Sequence, residues 1–248
     1  GSLADIRGIV LGDSGHLLVL DFKDQQIHVF DSLGTYLRAI GRRGQGPGEF
    51  GNANGMLRAP DGRIWINDPD NGRFTVLASD GSLHATHPVR IGGYGYLWQA
   101  WFDSSGTLYE SVSVRVDTSY GRRLQRYRME AIPLRSDTLP RYPCDSVALA
   151  LPTAPNYYRT PRGYMDVPFM ISPVRAIDPN VGAWCATGER YGLHQVTLDD
   201  HPTGVVVHGS RPPTPVSVAE RDSAIAKVRR FFEQTGGANP DLSRIPSE

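Results

Sequence analysis

A pattern of strand and turn residues occurs twice within the first ninety positions of this 248-residue chain, and it limits the folds open to the sequence. The first copy contains Gly15–Asp21 and Gln26–Gly34, and the second contains Gly62–Asp68 and Arg73–Gly81. Gly62 follows Gly15 by 47 residues, and both copies consist of short apolar runs separated by turn residues. A repeat of this length and composition indicates an array of small stacked β-sheets rather than one continuous core.

Each repeat predicts four antiparallel strands joined by tight turns. In the first repeat, Asp13-Ser14-Gly15 and Ser32-Leu33-Gly34 supply the positive-φ positions and the side-chain hydrogen bonds that short hairpin loops need. A four-stranded unit that recurs every 44–47 residues is typical of a β-propeller blade. The fold class is therefore predicted as an all-β propeller with about four blades, which cover approximately residues 6–50, 51–97, 98–143 and 165–210.

The third blade, the fourth blade and the end of the chain depart from the simple repeat. The third blade is predicted to carry long strands at Tyr109–Val116 and Gln125–Leu134 and a last strand at Thr138–Tyr142. A proline-rich passage from Leu151 to Gly163 delays the fourth blade. A helix is predicted over about 217–235, because Ser217 and Glu220 form a capping box. Residues 1–248 are predicted as one propeller domain. Since an open ring leaves an unpaired strand edge, we expect closing blades outside this sequence.

The charge balance excludes one class of partner. The chain has 26 basic and 26 acidic residues, so it lacks the long-range field that drives non-specific binding to nucleic acid or anionic lipid. The apolar runs are also too short to span a bilayer. The densest basic cluster predicts a charged blade edge in preference to an RNA site. It contains Arg122, Arg123, Arg126 and Arg128.

The two cysteines, Cys144 and Cys185, are too few for a disulfide framework and are not spaced as a metal knuckle. Two buried free thiols are the favoured interpretation. A single Cys144–Cys185 bridge is the alternative, and it would indicate an oxidising compartment.

One segment resembles a known family. It contains Ile27-His28-Val29-Phe30-Asp31-Ser32-Leu33-Gly34 and then Gly41-Arg42-Arg43-Gly44-Gln45-Gly46-Pro47-Gly48-Glu49-Phe50. These residues resemble the NHL-repeat class, and most closely the bacterial six-bladed β-propeller proteins, many of which have no known function. The resemblance implies a six-bladed parent fold, a helical insertion late in the ring, and a periplasmic or extracellular location.

Blade geometry predicts which loops are available for binding. The turns between the second and third strands and the connections between blades lie on one face of the ring, and here they are the longer loops. Because binding sites favour long loops on a rigid scaffold, this face is the predicted ligand-binding surface. The alternative is that these loops only pack neighbouring blades together. The candidate ligand-binding residues are Arg42, Arg43, Gln45, Glu49, Asp70, Tyr94 and Tyr96.

Motifs for metal and phosphate chemistry are weak. The segment Asp68-Pro69-Asp70-Asn71-Gly72 is acidic, but it lacks the spacing of a calcium-binding EF-hand loop, and Asp68 aligns with Asp21 as a turn residue. His84 and His87 are expected to diverge on a strand, which disfavours a zinc pair. No cofactor is predicted, with calcium or another divalent cation as the alternative. The sequence contains neither a phosphate-binding loop nor a Gly-x-Ser-x-Gly nucleophile motif.

These observations predict a non-catalytic binding module whose partner is a protein or a small-molecule or saccharide ligand, with no membrane span. The alternative is a metal-dependent lactonase, esterase or lyase with a site in the central tunnel. That site needs converging polar side chains on inner strands, where Ile9, Leu57, Phe102 and Val174 are apolar and only Asn52 and Asn54 are nearby polar candidates. A purely structural interaction domain is the third possibility.

Overall fold

The chain divides into two compact units in a computed structural model. The first unit comprises Gly1–Tyr142 with Asp178–Val181, and the second comprises Pro143–Ile177 with Gly182–Glu248. The predicted all-β class is confirmed, because the described strands form four four-stranded antiparallel sheets and one hairpin. The structure describes residues 3–89, 97–116, 119–128, 134–148, 157–169, 174–187, 192–209 and 214–245.

The first unit contains three sheets whose strands follow chain order. The first sheet is built from β1 (Ile6–Leu11), β2 (Leu17–Asp21), β3 (Gln26–Phe30) and β4 (Tyr36–Ile40). The second is built from β5 (Gly55–Arg58), β6 (Ile64–Asp68), β7 (Arg73–Leu77) and β8 (Leu83–Pro88). The third is built from β9 (Ala100–Phe102), β10 (Leu108–Val116), β11 (Ser119–Arg128) and β12 (Arg135–Thr138).

The sequence located the strands of the first two sheets closely, but it misplaced the last two strands of the third sheet. The third strand was predicted at Gln125–Leu134, whereas β11 comprises Ser119–Arg128. The last strand was predicted at Thr138–Tyr142, whereas β12 ends at Thr138. The reason is pairing: Thr138 lies opposite Gln125 at the end of the ladder with β11. Tyr142 is instead buried, and its hydroxyl lies 3.0 Å from the hydroxyl of Ser111.

Two hydrophobic clusters hold the sheets of the first unit together. One joins the first and second sheets through aliphatic side chains such as Leu20, Ile27 and Ile66, all fully buried. The other joins the second and third sheets, and it is aromatic at its centre. There the ring of Phe74 lies 5.4 Å from that of Tyr127 and 5.5 Å from that of Trp98. Face-to-face packing of successive sheets buries the apolar side of each strand, as in stacked blades.

The second unit combines a sheet, a hairpin and a helix. A short helix, α1 (Asp145–Ala148), comes first. It is followed by a hairpin of β13 (Tyr157–Thr160) and β14 (Gly163–Asp166), which was not predicted because it overlaps the proline-rich passage. The fourth sheet then contains β15 (Val174–Asp178), β16 (Gly182–Thr187), β17 (Gly192–Val196) and β18 (Pro202–His208).

The predicted helix is confirmed as α2 (Val218–Thr235). Ser217 and Glu220 form the capping box, and Gly236 ends the helix in the left-handed conformation. Val228 and Phe232 face the hairpin, where they form a cluster with Tyr158. The described residues contain no helix long and apolar enough to cross a membrane.

The preference for two free thiols was wrong, because Cys144 and Cys185 form a disulfide. Both residues are completely buried and lie in a small cluster of the fourth sheet. The spacing of two cysteines along a chain gives no information on how closely the fold places them, so the sequence alone could not decide between the two states.

Candidate functional site

The loop between β4 and β5 contains four of the predicted binding residues, and it is closed by its own hydrogen bonds. The Glu49 carboxylate accepts hydrogen bonds from the Arg42 Nε, at 2.7 Å, and from the backbone N–H of Gly46, at 2.9 Å. The Gly46 amide and then the Arg42 guanidinium hold the pKa of Glu49 below its usual range. Phe50 is fully buried and anchors the end of the loop.

Two arginines tie this loop to neighbouring segments. Arg73, at the start of β7, donates to the backbone carbonyls of Gln45, Gly46 and Glu49 at 2.7–3.1 Å. Arg43 donates to the carbonyls of Lys23, at 3.1 Å, and Gly51, at 3.5 Å. Arg43 thus joins a turn of the first sheet to the entry of the second, which is the packing role considered for these loops.

Asp68 and Asp21 occupy equivalent places at the ends of β6 and β2, and both are fully buried turn acceptors. Asp68 accepts from the backbone N–H groups of Gly51 and Asn52 and from the Asn71 side chain. Asp21 accepts from the N–H groups of residues 4, 5 and 23. Burial acts to raise the pKa of Asp21, but these amide hydrogen bonds outweigh it, so the pKa is lowered.

Three of the predicted binding residues lie outside the loop between β4 and β5, namely Asp70, Tyr94 and Tyr96. Asp70 accepts a hydrogen bond of 3.0 Å from the Asn52 side chain. Tyr94 and Tyr96 lie outside the described residues. The structure therefore brings Arg42, Arg43, Glu49 and the Gln45 backbone into one hydrogen-bonded set of loops, and ligand binding by this face stays a prediction.

One group of side chains in the described residues could offer ligand atoms to a metal ion. Atoms of Asp21, Asp24 and His28 lie within 4.8 Å of one another, and the Nε2 of His28 is buried without a hydrogen-bond partner. However, the Asp21 carboxylate is already satisfied by backbone amides, which leaves fewer ligands than a structural zinc site uses. These three residues therefore do not support a cation-binding site.

A groove between the second and third sheets is a candidate site that sequence reasoning did not identify. It encloses about 550 Å³. The indole of Trp65 is 95% buried at its floor, with edge contacts to Phe74 and Phe102 at ring-centroid distances of 5.9 Å. The walls come from β8 and from the turns that precede β6 and β10. Its polar lining includes Asp61, Arg63, His84, His87, Ser104 and Ser105.

His84 and His87 line this groove together, although strand alternation predicts that they diverge. The cause is a register shift in the β7–β8 pair: Val76 lies opposite Ala85, but Leu77 lies opposite Leu83, so His84 is an extra residue. A bulge of this kind breaks the alternation of side chains along a strand. The three-residue spacing of the two histidines was the sequence signal for this pair. The prediction that they diverge assumed a regular strand without a bulge.

The His87 ring stacks on Trp65, with a centroid distance of 5.2 Å and an interplanar angle of 5°. Burial, followed by the charges of His84 and Arg63, lowers the pKa of His87. Neither imidazole has a hydrogen-bond partner among the described residues, whereas Arg63 forms an ion pair of 3.4 Å with Asp61. The groove therefore combines an aromatic floor with imidazole nitrogens that form no hydrogen bond to the described residues.

A carboxyl group with a raised pKa lies in the aromatic core of the first unit. The Glu110 side chain on β10 accepts hydrogen bonds from the Tyr127 hydroxyl at 2.7 Å and the Trp98 Nε1 at 3.1 Å. Burial raises the pKa of Glu110, and these two hydrogen bonds oppose that change only in part. Glu110 thus links the strands of the third sheet through a polar contact inside an aromatic core.

Two arginines of the basic cluster pair with one acidic residue of their own sheet. Arg126 on β11 lies opposite Asp137 on β12 and forms an ion pair with it, and Arg128 lies 3.7 Å from the same carboxylate. The side-chain hydrogen bond of Arg126 is the main reason why the pKa of Asp137 is lowered. Tyr127 is buried on the opposite side of the strand, as strand alternation predicted.

Residues 3–68 match the model of a family described as a 6-bladed beta-propeller. The first part of the chain is therefore similar to a six-bladed β-propeller family. The match confirms the resemblance to six-bladed β-propeller proteins that was inferred from the first repeat and from the loop that ends at Phe50. No curated protein matches the chain.

Solved structures give distant likenesses only. Virginiamycin B lyase from Staphylococcus aureus is 11% identical with a TM-score of 0.42, over 86% of this chain and 57% of the lyase. A candidate exported protein from Bacteroides fragilis is 13% identical with a TM-score of 0.49, over 96% and 58%. A candidate gluconolactonase is 21% identical with a TM-score of 0.42, over 84% and 64%. The chain thus spans less than two thirds of each of these proteins, and none of their properties is transferred to it.

Proposed function

We propose that the chain is a non-catalytic binding module on a propeller scaffold, and that the groove between the second and third sheets is its ligand site. The observation that carries the proposal is the groove itself. Its volume of about 550 Å³ lies in the range of small-molecule sites, which are typically apolar with a few well-placed polar groups. The stacked Trp65–His87 pair and the unpartnered imidazoles provide both features.

The arrangement of the groove supports binding over catalysis. Nucleophilic catalysis by serine requires a base within hydrogen-bond reach of the hydroxyl. The Ser105 hydroxyl instead donates to the Asp103 carboxylate at 2.6 Å, in a turn that Asp103 also holds through two backbone amides. The serine therefore stabilises the turn before β10.

The metal-dependent enzyme predicted as the alternative stays untested. Its two polar candidates both have partners in the first unit: Asn52 donates to Asp70, and the oxygen of Asn54 accepts from Asn67 at 2.9 Å. Elemental analysis of protein purified without chelator, with melting temperatures measured with and without EDTA, tests this alternative directly.

We also propose that the protein works in an oxidising compartment, in agreement with the exported location implied by the family resemblance. The Cys144–Cys185 disulfide supports this, because such bonds persist in the periplasm or outside the cell and are rare in the reducing cytosol.

The binding proposal is tested by blocking the groove. A library of small metabolites is screened by ligand-observed NMR against the wild-type protein and the Ser104→Trp variant, in which an indole is added to an exposed turn at the groove wall. Ser32→Trp, in an exposed turn of the first sheet, is the matched control. We expect compounds that bind wild type and Ser32→Trp equally and bind Ser104→Trp at least tenfold more weakly. Equal binding to all three proteins would contradict the proposal.

A further inference from the structure

The groove has a charge pattern that selects a class of ligand. Resting on the proposed function of the groove, we propose that its ligand is a small organic anion with a flat apolar body. The acidic group is held by Arg63, His84 and His87, and the apolar body lies against Pro60 and Phe102.

Basic side chains outnumber acidic ones along the lining of the groove. Asp61, Arg63, His84 and His87 are the titratable and charged groups that face the groove, from the turn before β6 and from β8. The Arg63 and Asp61 side chains are 47% and 54% exposed and 3.4 Å apart, a geometry in which an ion pair contributes little. The lining therefore contains three basic side chains and one acidic side chain.

The imidazoles of His84 and His87 have hydrogen-bonding capacity that the described residues do not use. A protonated imidazole donates two N–H groups, and neither His84 nor His87 has a protein acceptor in the described part of the chain. The stack on Trp65 fixes the plane of the His87 ring and leaves its nitrogen-bearing edge as the polar part. Because a cation is attracted to an indole face, the same stack tolerates a charged His87 when an anion arrives.

Part of the groove lining is apolar and fits the flat body of the proposed ligand. Pro60, Val76, Ala85 and Phe102 line the groove beside the cationic group. Trp65 is too deeply buried to present a free face, so it does not provide the exposed aromatic platform on which a saccharide ring stacks. A flat apolar body with one acidic group uses both parts of the lining.

Charge and protonation are linked at this site, so the proposal has a predicted pH dependence. In the free protein, burial and the charges of His84 and Arg63 lower the pKa of His87 below 6.5. A bound anion adds an opposite charge and raises that pKa, so the protonated form binds the anion more tightly. Affinity therefore rises as the pH falls from 8 toward 6 and below. A rise of one pKa unit on binding strengthens affinity by about tenfold at a pH well below the free pKa of His87, and by about threefold between pH 8 and pH 6.

The test compares 2-naphthoate with its neutral counterpart, 2-naphthamide. Dissociation constants are measured by calorimetry at pH 6.0 and 8.0, and the imidazole C–H signals are followed by NMR. We expect naphthoate to bind at least about threefold more tightly at pH 6.0 than at pH 8.0, and naphthamide to bind weakly at both. Arg63→Gln and His84→Gln should each weaken naphthoate binding several-fold, whereas Asp61→Asn should strengthen it. His16→Gln, at the residue before β2, should have no effect.

The outcomes separate this inference from the proposed function. If both naphthalene compounds bind equally at both pH values and both are lost in Ser104→Trp, the groove is a ligand site without anion preference, and the inference is overturned. If naphthoate does not bind at pH 6.0, the inference is also overturned. The library screen then decides the proposed function. The proposed function is contradicted as well if no library compound binds Ser104→Trp more weakly than wild type.

Discussion

The first two sheets and the fourth sheet have the same strand order and similar turns, but different interactions hold them. The cluster between the first and second sheets consists of large aliphatic side chains, with Leu20, Ile27 and Ile64 fully buried. Among the residues that the structure describes, the cluster of the fourth sheet contains Cys144, Ala183, Cys185 and Val196, with Ile177 packed against it. Other apolar side chains of that sheet are exposed, such as Val174 at 67% and Val207 at 50%.

This difference shows two ways to stabilise one supersecondary unit. Burial of apolar area stabilises a sheet in proportion to the area removed from water, at about 25 cal/mol per Å². A sheet whose core contains alanine, valine and cysteine gains much less from burial, and a disulfide restricts its unfolded state instead. We therefore expect the first unit to be most sensitive to loss of side-chain volume and the fourth sheet to loss of its covalent link.

The largest expected effect is in the aromatic core of the first unit. Phe74→Ala removes a fully buried ring that contacts Trp65, Trp98 and Tyr127. Because the neighbours cannot refill the cavity, we expect the free energy of unfolding to fall by about 3–5 kcal/mol. Urea denaturation followed by tryptophan fluorescence measures it. Leu33→Ala, at a position 90% exposed, is the control and should change stability by less than about 0.5 kcal/mol.

The disulfide provides the corresponding test for the fourth sheet. Cys144 and Cys185 are 41 residues apart, and a crosslink that closes a loop of this length is expected to contribute about 3–4 kcal/mol. The Cys144→Ala/Cys185→Ala variant should lose that amount in denaturant unfolding, and dithiothreitol should lower the stability of wild type but not of the variant. A loss below about 1 kcal/mol would break the comparison, because the small cluster would then stabilise the sheet without the crosslink.

The sequence predicted the repeated parts of the fold and not the parts that depend on long-range contact. The strands of the first two sheets lie within one or two residues of prediction because each has apolar alternation bounded by turn residues, and α2 because it has both caps. The hairpin Tyr157–Asp166 was missed because its apolar residues find their partners on α2, far along the chain. The disulfide could not be predicted for the same reason.

The candidate site shows the same limit in more detail. The loop Gly41–Phe50 was recognised by its glycine and proline pattern, but its hydrogen bonds to Arg73 come from a strand that local sequence does not connect with it. The groove depends on a bulge at His84 that reverses the expected side-chain alternation. Residue types alone therefore indicated which loops are long, and the register of one strand pair decided which histidines share a site.

Asp200 provides the smallest and most specific test of how the fourth sheet differs from the first two. It occupies a turn position where the first and second sheets have Gly34 and Gly81, and its φ of 70° is in the left-handed region that glycine favours. The carboxylate compensates by accepting hydrogen bonds from the backbone N–H groups of Cys144, at 2.9 Å, and Ser146, at 2.6 Å. Asp200 thus holds the segment that carries one half of the disulfide.

Two substitutions of Asp200 separate its backbone conformation from its hydrogen bonds. Asp200→Ala keeps the left-handed strain and leaves buried donors unpaired, so we expect a loss of about 2–3 kcal/mol. Asp200→Gly removes the strain and should cost about 1 kcal/mol less. Gly34→Ala in the first sheet, where a methyl group meets no neighbouring atom, measures the strain alone at about 1 kcal/mol. Equal losses for Asp200→Ala and Asp200→Gly would show that the carboxylate alone makes this turn different from its counterparts in the first unit.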